Sequence, residues 1–204
     1  MRTDRDRCRR RPAILGALLG LAALPSCAPA LPSRLYTLLP AEAAVEGEAQ
    51  GPALGLDPVT LPAYLDRPEI VTRAGGHQVR LGESDKWVEP LQPMFRRRLE
   101  ERLRVATGAR EVVPVPPPGG AEPRHAVAVE VERFDADEAG KVRLDARWRV
   151  YRPATGRTVR AGREMIEERG AAPPDYPGLV AAMGRAVDAL ADAIAAAVPG
   201  AGGR

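Results

Sequence analysis

The stretch KVRLDARWRVY, residues 141–151, alternates apolar and polar side chains with a period of two. Successive side chains of a β-strand point to opposite faces of a sheet, so this stretch predicts a strand with one buried and one solvent-facing side. The predicted buried side consists of Val142, Leu144, Ala146, Trp148 and Val150, and the other side of Arg143, Asp145, Arg147 and Arg149. A sheet with one solvent-exposed face is typically antiparallel.

Neighbouring strands are predicted on both sides of this stretch. Residues 126–134 carry valine at alternate positions, and the turn residues 137–140 separate them from it. Residues 153–156 form a second turn, which leads to a third strand over residues 157–166. Short turns between consecutive strands predict antiparallel pairing.

Shorter strands are predicted before and after the first helix. Residues 69–72 and 78–81 flank Gly75 and Gly76, which predicts a hairpin. Further strands are expected over residues 34–39, 55–61 and 111–115.

Two amphipathic helices follow from a change in the apolar spacing. From Trp87 onward the spacing becomes three or four residues, which predicts a helix that ends at Gly108. Its apolar face consists of Val88, Leu91, Phe95, Leu99 and Leu103, and its solvated face of Arg96, Arg97, Glu100, Glu101 and Arg104. A second helix is predicted after Pro173 and Pro174, with Asp175 as its N-cap. Its apolar face consists of Tyr176, Leu179, Val180, Met183, Val187, Leu190 and Ile194.

Two such helices and several strands with one solvent-facing side can bury their apolar sides by packing as two layers, helices on sheet. We therefore predict an α+β fold, a two-layer sandwich in which a mainly antiparallel sheet carries both helices on one face. Alanines fill much of the second helix, which favours close packing over a roomy cavity.

Residues 1–26 have the pattern of an export signal. Six arginines and two aspartates within residues 1–12 precede an uncharged apolar run over residues 13–24. That run is shorter than the about 20 residues that a membrane-spanning helix needs, so a cleaved signal is predicted. Leu24-Pro-Ser-Cys27 resembles the bacterial lipobox, in which the cysteine becomes the first mature residue and carries acyl chains such as palmitate. The alternative is an ordinary signal peptide whose alanine-rich end includes a cysteine.

A lipid on Cys27 also explains the cysteine content. The chain has two cysteines, and Cys8 lies within the predicted signal, so no disulfide is expected within the mature protein. Ala28 favours the outer membrane by analogy with enteric lipoproteins. We predict a signal peptide over residues 1–26, an acylated cysteine and flexible tether over 27–33, one domain over 34–198 and a disordered tail over 199–204.

The charge balance and the histidines argue against other function classes. Without the predicted signal, 24 basic and 25 acidic residues remain of the 30 and 27 in the whole chain, so the composition does not indicate nucleic-acid binding. His77 and His125 are the only histidines, and neither belongs to a catalytic or metal-binding motif. Asp135, Asp137 and Glu138 are interpreted as a solvated turn. We therefore expect no enzyme activity, no metal and no cofactor.

The segment LPAYLDRPEIVTR, residues 61–73, is the most distinctive of the chain. Together with Tyr36-Thr-Leu38 upstream and Trp87-Val-Glu-Pro-Leu91 downstream, it resembles the PqiC-like family of ABC-type transport auxiliary lipoproteins. The resemblance implies a non-catalytic lipoprotein on the periplasmic side of the outer membrane. It also implies two partners, a periplasmic MCE-domain protein and the inner-membrane components of a transporter that moves phospholipid or similar hydrophobic molecules. Because MCE proteins form rings, a homo-oligomer is compatible with it.

The same segment supplies the candidate partner-binding residues. Two prolines stiffen the loop, so Tyr64 and Leu65, with Asp66, Arg67 and Trp87, are predicted to contact the partner. In the alternative interpretation, Tyr64 and Leu65 cover the sheet edge, Arg67 pairs with Asp66 or Glu69, and Trp87 is a core anchor. Two other functions stay open: a structural or assembly lipoprotein that supports an outer-membrane β-barrel, and a domain that carries lipid in its own cavity.

Overall fold

The computed structural model describes residues 32–38, 50–120 and 122–200, which form eight strands, two α-helices and two short 3-10 turns. The strands are β1 (Arg34–Tyr36), β2 (Leu54–Leu56), β3 (Glu69–Arg73), β4 (Val79–Trp87), β5 (Val112–Pro114), β6 (His125–Asp137), β7 (Lys141–Arg152) and β8 (Arg157–Arg169). The helices are α1 (Leu91–Thr107) and α2 (Tyr176–Ala197), and the 3-10 turns are Ala63–Leu65 and Pro153–Thr155. From Pro32 onward the described residues form one compact unit.

Strands β6, β7 and β8 form the long antiparallel part of the sheet, as their sequences predict. Strand β7 pairs with β6 on one side and with β8 on the other along most of its length. Val142, Leu144 and Val150 are completely buried, which confirms the predicted core face. Strand β6 extends past its predicted end because the turn to β7 is tight. The Asp137 carboxylate there accepts hydrogen bonds from the N–H groups of Ala139 and Lys141, both at 2.9 Å.

The remaining strands lie along the other edge of β6. Local sequence patterns do not predict their order or their parallel pairing. Strand β2 runs parallel to the start of β6, with Leu54 opposite His125, and β5 extends β2. Strand β3 runs parallel to the end of β6, with Thr72 opposite Ala136, and β4 and then β1 extend β3. The sheet is therefore mixed, with antiparallel pairing in its long strands and mostly parallel pairing in its short ones.

Helices α1 and α2 pack against each other and on one face of the sheet, so the predicted two-layer α+β arrangement is confirmed. The ring of Phe95 in α1 meets that of Phe134 in β6 edge to face, with 5.3 Å between the centroids. Asp175 caps α2 by accepting a hydrogen bond from the N–H of Gly178 at 3.2 Å, as predicted. Gly108 ends α1 in the left-handed conformation that glycine adopts without steric cost.

The predicted start of the first helix is wrong. Trp87 belongs to β4, where its N–H donates to the carbonyl of Pro68 at 2.7 Å. The helix begins only at Leu91, after Pro90, because proline disfavours helical backbone at the residue before it. Val88 is 54% exposed and does not belong to the apolar face of the helix.

The first two strands are shorter than predicted. Strand β1 ends at Tyr36 and β2 ends at Leu56, where residues 39 and 61 were expected as their ends. Pro58 follows β2 closely and has no N–H to donate, so a regular ladder cannot continue there. Of the predicted tail, Pro199 and Gly200 form a turn after α2, and residues 201–204 lie outside the described part.

Candidate partner-binding site

The distinctive segment 61–68 connects β2 to β3 and runs beside β6. Thr60, just before it, bridges to Glu130 of β6, and its carbonyl accepts a hydrogen bond from the N–H of Val131 at 2.9 Å. The 3-10 turn Ala63–Leu65 follows, and the chain then enters β3 at Glu69. The segment is therefore held against the sheet from its first residue.

Tyr64 is tied to a buried charge network. Its hydroxyl donates to Asp135 Oδ2 at 2.8 Å and accepts from the N–H of Phe134 at 3.3 Å. The Asp135 side chain is 0% exposed and also accepts from Nε of Arg73 and of Arg133, each at 2.9 Å. The interpretation of this aspartate as part of a solvated turn is therefore wrong. Two guanidinium groups and a phenol compensate the burial of its charge.

The same environment controls the protonation of Tyr64. Burial raises its pKa to about 12, and the Asp135 carboxylate adds to the shift, although the Phe134 N–H opposes it. The phenol therefore keeps its proton and stays a donor across the physiological range. Leu65 beside it is 3% exposed and belongs to the core. Leu65 is therefore buried and Tyr64 is bonded to β6, and a role of either in partner binding stays a prediction.

Asp66 and Arg67 are exposed, unlike the two residues before them. Nε of Arg67 donates to the main-chain carbonyl of Tyr64 at 3.0 Å, instead of to Asp66 or Glu69. This contact orders the tip of the segment but leaves both charged groups open to solvent. A role of Asp66 and Arg67 in partner binding stays a prediction.

Trp87 is the last of the predicted partner-binding residues, and its N–H donates to the carbonyl of Pro68 at the end of the same segment. It lies at the end of β4, is 5% exposed and packs in the hydrophobic core. A direct contact with a partner would need Trp87 to leave that core, so its position favours a packing role.

A surface groove that sequence reasoning missed lies near the exit of β2. It has a volume of about 280 Å³ and is lined by Leu56, Pro58, Val59, Gln92, Pro93, Arg96, Pro114 and Val115. Nε2 of Gln92 donates to the carbonyl of Val59 at 2.8 Å, which joins α1 to the segment after β2. Nε of Arg96 is buried and has no hydrogen-bond partner among the described residues. The lining includes a proline from each of three separate segments of the sequence. These segments meet only in the tertiary structure, so the sequence did not predict the groove.

The predicted lipid attachment site, Cys27, lies outside the described residues. The first described strand, β1, begins at Arg34, seven positions after it. Arg34 donates from Nε and Nη2 to the two carboxylate oxygens of Asp85, both at 2.7 Å, and the Tyr36 hydroxyl donates to the same carboxylate at 2.8 Å. The entry of the chain into the domain is therefore clamped to β4.

The described residues include both histidines of the chain. They contain no group of three or more histidine, cysteine, aspartate or glutamate side chains placed to hold a metal ion. His125 is 7% exposed, its Nε2 has no partner there, and its pKa is lowered by burial and by Arg124 and Arg152. His77 lies exposed in the turn between β3 and β4. Within the described part of the chain, no helix combines the length and the apolar character needed to cross a membrane.

Comparison with known proteins adds a family and a fold. A family model described as ABC-type transport auxiliary lipoprotein component matches residues 36–195. The crystal structure of an uncharacterized protein is 18% identical, covers 81% of this chain and 97% of its own, and has a TM-score of 0.65. A DUF330 protein from Xanthomonas campestris is 14% identical, covers 80% and 93%, and also has a TM-score of 0.65. At these identities the structures show a shared fold; no curated protein matches the chain.

Proposed function

This chain belongs to the family of ABC-type transport auxiliary lipoprotein components, and from that membership we propose that it is a non-catalytic accessory subunit of a transporter, anchored by lipid on Cys27. The match over residues 36–195 carries the proposal, because it runs from the end of β1 almost to the end of α2. The whole described fold, and not one motif, therefore supports the family role. The absence of catalysis is part of the proposal.

We also propose where the lipoprotein is anchored and which protein it binds. The lipobox-like residues before Cys27 and the Ala28 that follows it support an anchor in the outer membrane, with the domain in the periplasm. The partner proposed for it is an MCE-domain protein, which connects this lipoprotein to the inner-membrane components of the transporter. Self-association of the lipoprotein is compatible with this arrangement.

The groove supports docking in preference to lipid carriage. Its volume of about 280 Å³ is just below the range in which pockets hold drug-sized ligands, and a phospholipid with two acyl chains is larger than such ligands. Two or three apolar side chains of a protein segment would fit it.

Affinity capture tests the proposal directly. The tagged, lipidated protein is captured from its own detergent-solubilised envelope, and the partners are identified by mass spectrometry. Recovery of an MCE-domain protein is expected, and recovery of an outer-membrane β-barrel in its place would favour the structural role. A Cys27→Ser variant is expected to lose the acyl mass and the membrane fraction, which tests the anchor independently.

A matched pair of variants tests the groove. Pro93 is exposed at the mouth of the groove in the first turn of α1, so Pro93→Arg introduces a bulky charge there without touching the core. Val105→Arg introduces the same side chain on the same helix, at a residue that is 44% exposed and does not line the groove. Capture of the partner should be lost only in the first variant. If both retain it, the paired change Asp66→Ala and Arg67→Ala tests the exposed tip of the 61–68 segment instead.

A further inference from the structure

We infer that the exposed residues Leu35 and Val88, at the β1 edge of the sheet, contact the surface of the phospholipid bilayer. This inference rests on the lipid anchor at Cys27 proposed above. This surface shares no residue with the lining of the groove, and its contact with the bilayer would orient the tethered domain.

The short tether brings this edge of the domain close to the membrane. Seven residue steps separate Cys27 from Arg34, and at no more than about 3.6 Å per step they span about 25 Å. A domain of this length has a radius of gyration of about 15 Å, and hence a diameter of about 40 Å. The tether therefore holds the edge at Arg34 within about 25 Å of the bilayer, and contacts made at that edge decide how the domain is oriented.

The clamp at Arg34 makes the attachment rigid. Asp85 is 5% exposed and holds Arg34 by two hydrogen bonds of 2.7 Å, so β1 cannot swing away from β4 without breaking them. The N–H of Val88 donates to the carbonyl of Tyr36 at 2.8 Å, which extends the contact past the end of β4. Motion of the tether is thereby transmitted to this edge of the sheet.

Two apolar side chains stand exposed at this edge. Leu35 is 61% exposed and pairs with Lys86 in the parallel register of β1 and β4. By the alternation of a strand, Leu35 and Lys86 point away from the side on which Trp87 is buried. Val88, two residues after Lys86, is 54% exposed. An apolar pair with a lysine beside it suits the interface of a bilayer, where the apolar side chains enter and the ammonium stays among the headgroups.

A second copy of the chain is a poorer occupant for this surface. A specific protein interface buries at least about 1,000 Å² in total, and Leu35 and Val88, even together with the exposed Val79 and Leu81 of β4, supply only a fraction of that area. A lipid surface needs no such complementarity, and the anchor already supplies the binding free energy. Contact with the bilayer therefore has only to orient the domain. Strand β8, at the opposite edge of the sheet, would then face away from the membrane.

Site-specific labels test this inference, and the chain offers a matched control. The mature lipidated protein has no free thiol, since Cys8 leaves with the signal and Cys27 is acylated. Single cysteines are introduced as Leu35→Cys, Val88→Cys and Met165→Cys and labelled with an environment-sensitive fluorophore. Met165 is 63% exposed, so it matches Leu35 in exposure. It lies on β8, five strand spacings from β1, or about 24 Å away.

Each labelled protein is reconstituted into vesicles of phosphatidylethanolamine and phosphatidylglycerol, with or without nitroxide-labelled lipid. We expect a blue shift of emission and quenching by the nitroxide lipid for labels at 35 and 88, and neither for the label at 165. Equal behaviour of all three labels would overturn the inference. A blue shift at 35 and 88 without lipid quenching, but with energy transfer between copies, would also overturn it and assign the surface to self-association.

Two controls separate this inference from the anchor on which it depends. Flotation of the unlabelled protein with the vesicles and its intact mass report acylation alone. Loss of flotation overturns the anchor, whereas flotation with unquenched labels overturns only the assigned surface. Circular dichroism of the three variants should match that of the unmodified protein, because all three replaced side chains are exposed.

Discussion

The hydroxyl of Tyr64 ties the distinctive segment of this sequence to the sheet. It serves as donor to Asp135 and as acceptor for Phe134, while the main-chain carbonyl of Tyr64 orders Arg67. Asp135 is inaccessible to solvent, so water cannot replace a donor that it loses. The conformation of the segment therefore depends on contacts made more than sixty residues away in the chain.

Tyr64→Phe is expected to lower the free energy of unfolding by about 1.5 kcal/mol, because it removes a hydrogen bond to a fully buried carboxylate. Tyr151→Phe is the matched control. The Tyr151 hydroxyl donates to Asp57 at 2.6 Å, but that side chain is 22% exposed and water can replace the lost donor. A loss of about 0.5 kcal/mol is expected there. Urea unfolding measures both values, and equal losses would contradict the role given to burial.

The tyrosines also predict how stability depends on alkaline pH. The chain has four, and burial raises the pKa of each above the ordinary value of 10.0, to about 12 for Tyr64 and Tyr151. The folded state therefore keeps protons that the unfolded state releases. Their stabilising effect is fully present below pH 10 and is lost as the pH rises through the raised values.

Ultraviolet difference titration of tyrosinate, followed beside circular dichroism, checks this prediction. We expect no tyrosine to ionise with the ordinary pKa while the protein is folded, so absorbance and ellipticity should change together above pH 10. A tyrosine that ionises near its ordinary pKa in a protein of unchanged ellipticity would show that its environment is wrongly assigned.

At the scale of elements, two ion pairs join α1 to α2 one helical turn apart. Arg98 donates to Asp188 at 2.9 and 2.6 Å, and Arg102 donates to Asp192 at 2.7 and 2.8 Å. The Arg98 side chain is only 8% exposed, whereas that of Arg102 is 42% exposed. Gly184 makes room for the inner pair, because a Cβ there would lie 2.7 Å from the guanidinium carbon of Arg98.

The two pairs give a controlled test of burial. Asp188→Asn is expected to lower the free energy of unfolding by about 2 kcal/mol, because it removes the negative charge beside a buried guanidinium. Asp192→Asn removes the same charge from an exposed pair and is expected to cost no more than about 0.5 kcal/mol. Thermal and urea unfolding provide the measurements. A larger effect of the outer substitution would refute this ranking.

At the scale of the whole molecule, the clamp between Arg34 and Asp85 decides whether β1 belongs to the domain or to the tether. Strand β1 is three residues long and lies at the edge of the sheet, so its main-chain pairing alone is weak. Burial alone would raise the pKa of Asp85, but hydrogen bonds from Arg34 and Tyr36 outweigh it and lower that pKa. The stabilisation is present above the ordinary value of 3.8 and is lost as the pH falls through the lowered one.

Asp85→Asn is therefore expected to release β1 while the core stays folded. Loss of the clamp should raise the population of the state in which β1 is detached, and with it the exchange rate of the amides that bond to β1. Hydrogen exchange of the Val88 amide, which bonds to the Tyr36 carbonyl, reports this opening. The amide of Phe134 in β6 should exchange as before. Glu111→Gln, in an exposed pair with Arg110, is the control and should change neither rate.

The elements that the sequence predicted well are those in which one local pattern persists over many residues. Strand β7 alternates along its length and α2 keeps one apolar face for six turns, so their faces follow from periodicity alone. The short strands β1 and β2 carry too few residues for a pattern, and their bounds were wrong. Trp87 was wrongly placed in a helix because its apolar side chain fits either period, and only Pro90 and the pairing of β4 decide between them.

By itself, the sequence determined the two-layer α+β class, the faces of the long elements and the resemblance that the family match over residues 36–195 supports. Only the tertiary structure decided that Tyr64 faces Asp135, that three prolines from separate segments enclose a groove, and that β1 is clamped at Asp85. The physical reason is the separation along the chain of the residues that meet. Periodicity and capping act between residues a few positions apart, whereas these contacts join residues 21 to 71 positions apart, and parallel pairing brings them together without a local sequence signal.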